Sequence, residues 1–491
     1  MNCSIGYRSW APTIALTLAT LLVSCTSSSD GPTPSVSPSP SDEQAASASP
    51  SPSPRPDRSP HPRGIPPARL AGALPCTGAP GFVCSTLRVP LDWSGQEEGT
   101  LDLPVAVAEG EADDPVLLVL SGGPGQPGVE FVTLANQALA PVVGDYRLVM
   151  LDQRGTGANA IDCPPLQAAV GGSDILAPPP AAVRTCARRI GLDRAFLTTE
   201  DTVADLDHLR RALAVKSWAL DGISYGTFVA ERYAIEHPDR VEGLILDSAV
   251  PHNGLDPFLR ENLRRTAYVL RDVCKSTPCD SDPAKDLASV VRQGGDGVGI
   301  LNALTLQSIF DPTFRELADV PALLHQARLG DPSALDDYVA EARRLSAFSA
   351  NELSAGLHAA TLCSDLRFPW DENTSIDKRR RDLRRATKKV SKRAVWPFDR
   401  ATAAGNGVIQ TCVEWPRTAG DPVESRALPD VPVLLLHGER DLSTPLVWAR
   451  EVARSADESR LVVLPDDGHS TQFGEGSERP VEEIGRFLSR L

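Results

Sequence analysis

Short runs of leucine and β-branched residues alternate along this chain with stretches of helical spacing. Five runs, "PVLLVLSGGPG", "YRLVMLDQRGTG", "SWALDGISYGT", "VEGLILDSAV" and "VPVLLLHGERD", are nearly continuously apolar and stop at polar or glycine-rich residues. That is the pattern of parallel strands buried on both faces. "DLPVAVAEG" reads as an earlier strand and "SRLVVLPDDGHS" as a later one, while residues 199–214 and 226–238 carry helical periodicity between strands. Alternating strand and helix predicts an α/β fold, with a mostly parallel central sheet and helices on both faces.

The alternation breaks between Pro251 and Leu428, where the pattern is mainly helical. Connections in α/β units usually take about 2–6 residues, so this interval is expected to be a large helical cap inserted before the last two strands. It leaves the sheet at the carboxyl edge, where open α/β folds bind ligands. The expected division is 71–250 for the first part of the core, 251–428 for the cap and 429–491 for the rest of the core.

The amino-terminal end has a different character. Residues 1–24 combine Arg8 with an apolar stretch too short to span a membrane and end in "LVSC", resembling a bacterial lipoprotein signal with Cys25 as the lipidated residue. An ordinary cleaved signal, giving a secreted soluble protein, is the alternative. Residues 25–70 are rich in Ser-Pro and nearly devoid of large apolar side chains, so they cannot repay the entropy of ordering and read as an extended tether. The formal charge of the whole chain is −15, and loss of Arg8 with the signal makes it −16. So acidic a protein is a poor partner for nucleic acid.

Beyond Cys3 and Cys25 eight cysteines remain, an even number that suits an oxidising compartment. Pairing neighbours in sequence gives Cys76 with Cys84, Cys163 with Cys186, Cys274 with Cys279 and Cys363 with Cys412, one framework among those eight cysteines allow. No CxxC or HExxH occurs, and no metal or other cofactor is expected.

The chemistry centres on "GISYGT". Gly222 and Gly226 permit a strand-to-helix turn that presents Ser224 in strained geometry. A serine hydroxyl needs an imidazole base and an acid to orient that base. Asp441 lies just past one later strand and His469 just past the next, giving the order Ser, Asp, His found in α/β-hydrolases. Glu439 is the competing acid, but Asp441 lies farther out from its strand; His437 reads as a packed strand residue, and Asp466 and Asp467 as loop residues. Backbone N–H groups of Tyr225, at a helix start, and Gly123, in the "SGGPG" loop, are the expected oxyanion donors.

"SGGPG", "LDQRGTG", "GISYGT", "HGERDLSTP" and "DDGHS", together with "PCTGAPGFVCSTLRVPLDW" and "TLCSD", resemble the secreted tripeptidyl aminopeptidase and proline iminopeptidase group of α/β-hydrolase serine peptidases. The resemblance covers nearly everything after residue 75 and implies an α/β-hydrolase fold with Ser224, Asp441 and His469 as its triad. It also implies release of short peptides or single residues from free N-termini. Gln126 and Pro127 in "GGPGQPG", and Ala158 and Asn159 after "DQRGTG", depart from the group's pattern near the expected site.

An aminopeptidase needs a counter-charge for the α-ammonium, and Asp365 in "LCSD" is the candidate, with Glu352 or Glu414 behind it. Arg154 reads as a residue that ties loops together. The run 378–393, with ten basic residues and one acid, reads as a solvated helix with an apolar seam of Leu383, Ala386 and Val390; contact with anionic lipid or wall polymer is its alternative role. Two rivals to the peptidase are an esterase or amidase of the same fold and a catalytically silent surface binding module.

Overall fold

A computed structural model describes residues 65–371, 374–416, 426–473 and 478–491. The expected signal, Cys25 and all but the last residues of the tether lie outside them. Nine strands form one sheet: β1 (Leu70–Pro75), β2 (Phe82–Pro90), β3 (Thr100–Ala108), β4 (Val116–Leu120), β5 (Arg147–Leu151), β6 (Trp218–Ile223), β7 (Val241–Asp247), β8 (Val433–Gly438) and β9 (Ser459–Leu464). Their spatial order is β1-β2-β3-β5-β4-β6-β7-β8-β9. The first three strands and the β3/β5 pair are antiparallel, and every pair from β5 to β9 is parallel.

The central strands are apolar throughout because each face is covered. Leu118, Leu120, Leu220, Leu244, Leu246 and Leu435 pack against helices Thr199–Ala212, Tyr225–Glu236 and Leu446–Ser455. The alternating neighbours Leu117, Val119, Ala219, Ile245, Leu434 and Leu436 pack against helices Val132–Leu139 and Glu478–Leu488. Each such leucine, isoleucine or valine, wholly buried, contributes on the order of 1.5–3 kcal/mol relative to exposure.

Between β7 and β8 the described residues form nine α-helices, from Arg260–Ser276 to Gly407–Glu414. Most share an apolar cluster of their own, with Leu263, Leu270, Leu301, Leu304, Leu324 and Ile409 at its centre. A second contribution comes from the β5–β6 connection. Its helices Pro164–Val170 and Pro180–Ile190 pack on Ala355, Leu357, Ala360 and Trp415 rather than on the sheet. Four disulfides join Cys76 to Cys84, Cys163 to Cys186, Cys274 to Cys279 and Cys363 to Cys412. The last fastens helix Ala355–Asp365 to helix Gly407–Glu414.

The basic run occupies helix Ile376–Lys389 and the turn after it, with Leu383 buried and Ala386 and Val390 half-buried. It is less uniformly solvated than its composition suggests. Arg379 is buried and donates to the carbonyls of Thr374, Cys412 and Trp415, and Arg380 pairs with the buried Glu414.

Candidate active site

Strand β6 ends in a turn so tight that only glycine fits at two of its positions. A Cβ on Gly222 would lie 2.5 Å from the Gly226 carbonyl oxygen, and one on Gly226 would overlap the Leu120 carbonyl of β4. Between them Ser224 takes a left-handed backbone, with φ at 55°, immediately before helix Tyr225–Glu236. Its N–H donates to the Asp247 carbonyl at the end of β7, 2.9 Å away. A non-glycine residue held at positive φ carries strain that the surrounding packing must maintain.

Asp441 follows β8 and is fully buried. Its carboxylate accepts the N–H groups of Ser443 and Thr444 at 2.7 and 2.9 Å and the Thr444 hydroxyl at 2.6 Å, and lies 2.9 Å from His469 Nδ1. An ionised carboxylate has no proton to give, so Nδ1 is the donor and Nε2 is left to accept. Burial opposes the charge on Asp441, but the His469 charge and hydrogen bond outweigh it and hold the carboxyl at about 2. Burial also opposes protonation of His469, and the Asp441 carboxylate, with Asp247 and Asp174 behind it, outweighs burial and raises its pKa. Among the described residues no hydrogen bond links the Ser224 hydroxyl to the imidazole; such bonds are often long in ligand-free sites and tighten in the substrate complex.

The His469 loop is moored to the strand that also receives the Ser224 N–H. Ser470 N–H donates to Ser248 Oγ at 2.8 Å, and the buried Asp247 carboxylate accepts from the Thr471 hydroxyl and the Gln472 N–H at 3.1 and 2.8 Å. The Ser224 turn and the histidine loop thus share one support.

Ser224, Tyr225, Gly123 and Asp365 line a common cavity of about 130 Å³, together with Phe228, Phe348, Leu366 and Trp448. Among the described residues the N–H groups of Gly123 and Tyr225 have no protein acceptor. Gly123 has φ at 107°, and its loop is fixed from below by Asp152, whose carboxylate accepts the N–H groups of Gly128 and Val129 at 2.9 and 2.8 Å. Asp365, at the end of helix Ala355–Asp365, accepts the Thr199 N–H at 3.2 Å and the Thr199 hydroxyl. The Tyr225 hydroxyl reaches the same Thr199 oxygen at 2.6 Å. Burial raises the Asp365 pKa to about 7, against the pull of those bonds.

Other residues singled out from the sequence lie elsewhere. Glu352 caps Ser349 on the surface, and Glu414 is buried against Arg184 and Arg380; neither lines the cavity. Glu439 accepts the Tyr268 hydroxyl and does not meet His469. His437 is fully buried, and burial pushes its pKa down to about 4. Asp466 pairs with Arg440, and Asp467 accepts from its neighbour Gly468. Arg154 is buried in a bidentate pair with Asp205 and donates to the carbonyls of Leu91 and Phe196. The family departures line none of the cavity: Gln126 Oε1 faces Gly122, and Asn159 is exposed and donates to the Asp102 carbonyl.

Sequence reasoning passed over Thr444, which braces Asp441, and His358. The His358 ring contacts the Pro124 carbonyl at 2.9 Å through Nδ1 and Asp174 at 2.8 Å through Nε2. The latter is an ion-pair contact without hydrogen-bond alignment. Nothing local in the sequence marks either residue. Among the described residues no cluster of His, Cys, Asp and Glu is arranged to hold a metal ion.

This fold, with a serine on a strand-to-helix turn and a buried Asp–His pair on the same sheet edge, defines a serine hydrolase of the α/β-hydrolase class. A family model described as alpha/beta hydrolase fold matches residues 115–293, and one described as TAP-like protein matches 397–490. The chain is 26% identical over 401 residues to the tripeptidyl aminopeptidase of Streptomyces coelicolor, covering 72% of this chain and 70% of that one. It is 28% identical over 281 residues to a serine protease of Mycobacterium tuberculosis, covering 52% and 50%. A probable proline iminopeptidase of S. coelicolor is 32% identical over 132 residues, covering 26% of this chain and 31% of that one. By these matches the chain is a serine hydrolase similar to the tripeptidyl aminopeptidase and proline iminopeptidase group of α/β-hydrolase serine peptidases.

The pair's electrostatics set a pH window. Asp441, held below its unfolded value of 3.8, contributes stability that is complete above 3.8 and lost as pH falls through about 2. His469, raised above 6.5, contributes stability that is complete below 6.5 and lost as pH rises through its folded value. In Asp441→Asn the burial penalty on the ring stands without its main counter-charge. The His469 pKa, followed by NMR of the imidazole, therefore drops below its value in the unsubstituted protein; an unchanged value would contradict the coupling.

Proposed function

We propose that this protein is an exported serine aminopeptidase that releases short peptides or single residues from free N-termini. The observation that carries the reading is the cavity shared by Ser224, Gly123, Tyr225 and Asp365, with the Asp441–His469 pair at its edge of the sheet. In this reading Ser224 Oγ attacks the substrate carbonyl while His469 Nε2 takes its proton, and Asp441 holds the ring and steadies its charge. The Gly123 and Tyr225 N–H groups stabilise the tetrahedral oxyanion. Collapse expels the amine, which leaves with the proton from His469. Water, activated by the same imidazole, then hydrolyses the acyl-enzyme. The chemistry calls for no cofactor.

Asp365 serves as counter-charge to the substrate's ammonium. A carboxyl with a pKa near 7 is partly protonated at neutrality, and an arriving cation stabilises its ionised form. The cavity is smaller than the roughly 300–1,000 Å³ typical of ligand pockets. Its small size and apolar walls also favour a second reading, an esterase or amidase for small acyl groups.

Export and lipid anchoring at Cys25 rest on the signal-like residues 1–24 and agree with the four disulfides. Among the described residues no helix is long and apolar enough to cross a membrane. Cys25→Ala is expected to shift the protein from the membrane fraction to a soluble one, and an unchanged distribution would remove the anchor from the account.

Mass spectrometry of a mixed peptide library is expected to show products released from free N-termini, with N-acetylated peptides left intact. Asp365→Asn raises KM for free-amine substrates about tenfold, with a much smaller change in kcat. Rapid turnover of p-nitrophenyl esters with all peptide amides inert would favour the second reading.

A further inference from the structure

Three residues that line the Ser224 cavity each carry a buried polar atom without a protein partner: Asn262 Oδ1, Asn302 Nδ2 and Thr305 Oγ1. Asn262 and Asn302 are only 3% and 4% exposed. Leaving such groups unpaired in the interior is costly, and an unpaired buried group in a native protein calls for a reason.

Both amide orientations are fixed by their neighbours. Asn262 Nδ2 donates to the carbonyls of Leu442 and Ser443 at 3.1 and 2.8 Å, so the atom left without a partner is an acceptor. Ser173 Oγ accepts the N–H groups of Ile175 and Leu176, both at 3.0 Å, and so uses its own proton on Asn302 Oδ1 at 2.5 Å. The free atom of Asn302 is therefore a donor. Thr305 stands one turn beyond Asn302 on helix Gly297–Phe310 and offers a hydroxyl that works either way. Leu306 and Ile309 continue the same helical face, and Leu255, Leu259 and Phe348 complete an apolar surround.

We infer that Asn262, Asn302 and Thr305 form a subsite for the main chain of the residues being released, on the acyl side of the bond that Ser224 attacks. A peptide main chain presents N–H and C=O in alternation. Asn262 Oδ1 accepts the former, Asn302 Nδ2 donates to the latter, and Thr305 completes whichever remains. The three side chains are neutral, which suits amides, while the ammonium goes to a carboxylate. A simple alkyl acyl group would enter the same space and leave all three unpaired, so the subsite selects peptides over small esters by the penalty it imposes on the latter. The inference rests on the aminopeptidase reading and adds to it that at least one residue beyond the cleaved one is gripped by its backbone.

The test compares tripeptidyl and aminoacyl 4-nitroanilides that share the residue next to the cut bond. Thr305→Val removes one hydroxyl without changing shape, and Asn302→Leu removes the donor. In each variant the tripeptidyl-over-aminoacyl ratio of kcat/KM is expected to fall about tenfold. A ratio unchanged from the unsubstituted enzyme, whether both activities fall together or neither does, overturns the subsite. If Asn302→Leu, which also loses its bond to Ser173, melts below the assay temperature, Thr305→Val decides alone. Failure of the unsubstituted enzyme to cleave either anilide would overturn the aminopeptidase reading instead.

Discussion

The buried contact between Asp441 and His469 is the constraint on which the site depends. A carboxylate taken out of water is costly unless it is paired and hydrogen-bonded. Asp441 meets that condition with three donors from the Ser443–Thr444 turn and a fourth from the imidazole. The arrangement fixes the tautomer of His469 and leaves Nε2 basic. Because the histidine loop is moored to Asp247 and Ser248, and Asp247 also receives the Ser224 N–H, the ends of β6, β7, β8 and β9 form one mechanical unit.

Helix Ala355–Asp365 links that unit to the helices above it. At its start the Ser354 N–H donates to the Gly125 carbonyl at 2.9 Å, and His358 contacts the Pro124 carbonyl, so the glycine-rich loop after β4 is held from above. At its end Asp365 reaches Tyr225 through Thr199. One helix therefore touches both loops that carry the proposed oxyanion donors. The Cys363–Cys412 bridge limits its movement relative to helix Gly407–Glu414.

Features dictated by backbone sterics and two-sided burial were legible in the sequence. Gly222 and Gly226 are required because backbone approaches them too closely for a Cβ, and β4 to β8 are apolar because helices cover both faces. The edge was harder to read. Strand β1, "LAGALP", is almost wholly exposed, and β2 mixes polar with apolar residues, so neither offers a run of core residues. Helices 164–170 and 180–190 carry ordinary amphipathic patterns that do not say which surface they cover. Asn262, Asn302 and Thr305 look like unremarkable helix residues until two helices bring them to one wall. Arg379 sits in a basic run whose charge suggests solvent, yet it satisfies carbonyls at the end of a neighbouring helix.

The central claim is that Ser224 is the activated nucleophile of this sheet edge. Its most direct test is exposure of the intact protein to a fluorophosphonate, followed by mapping of the modified peptide by mass spectrometry. The account predicts a single phosphonyl adduct on Ser224, absent from Ser224→Ala. An adduct on another serine, or a folded protein that takes no label, would contradict it.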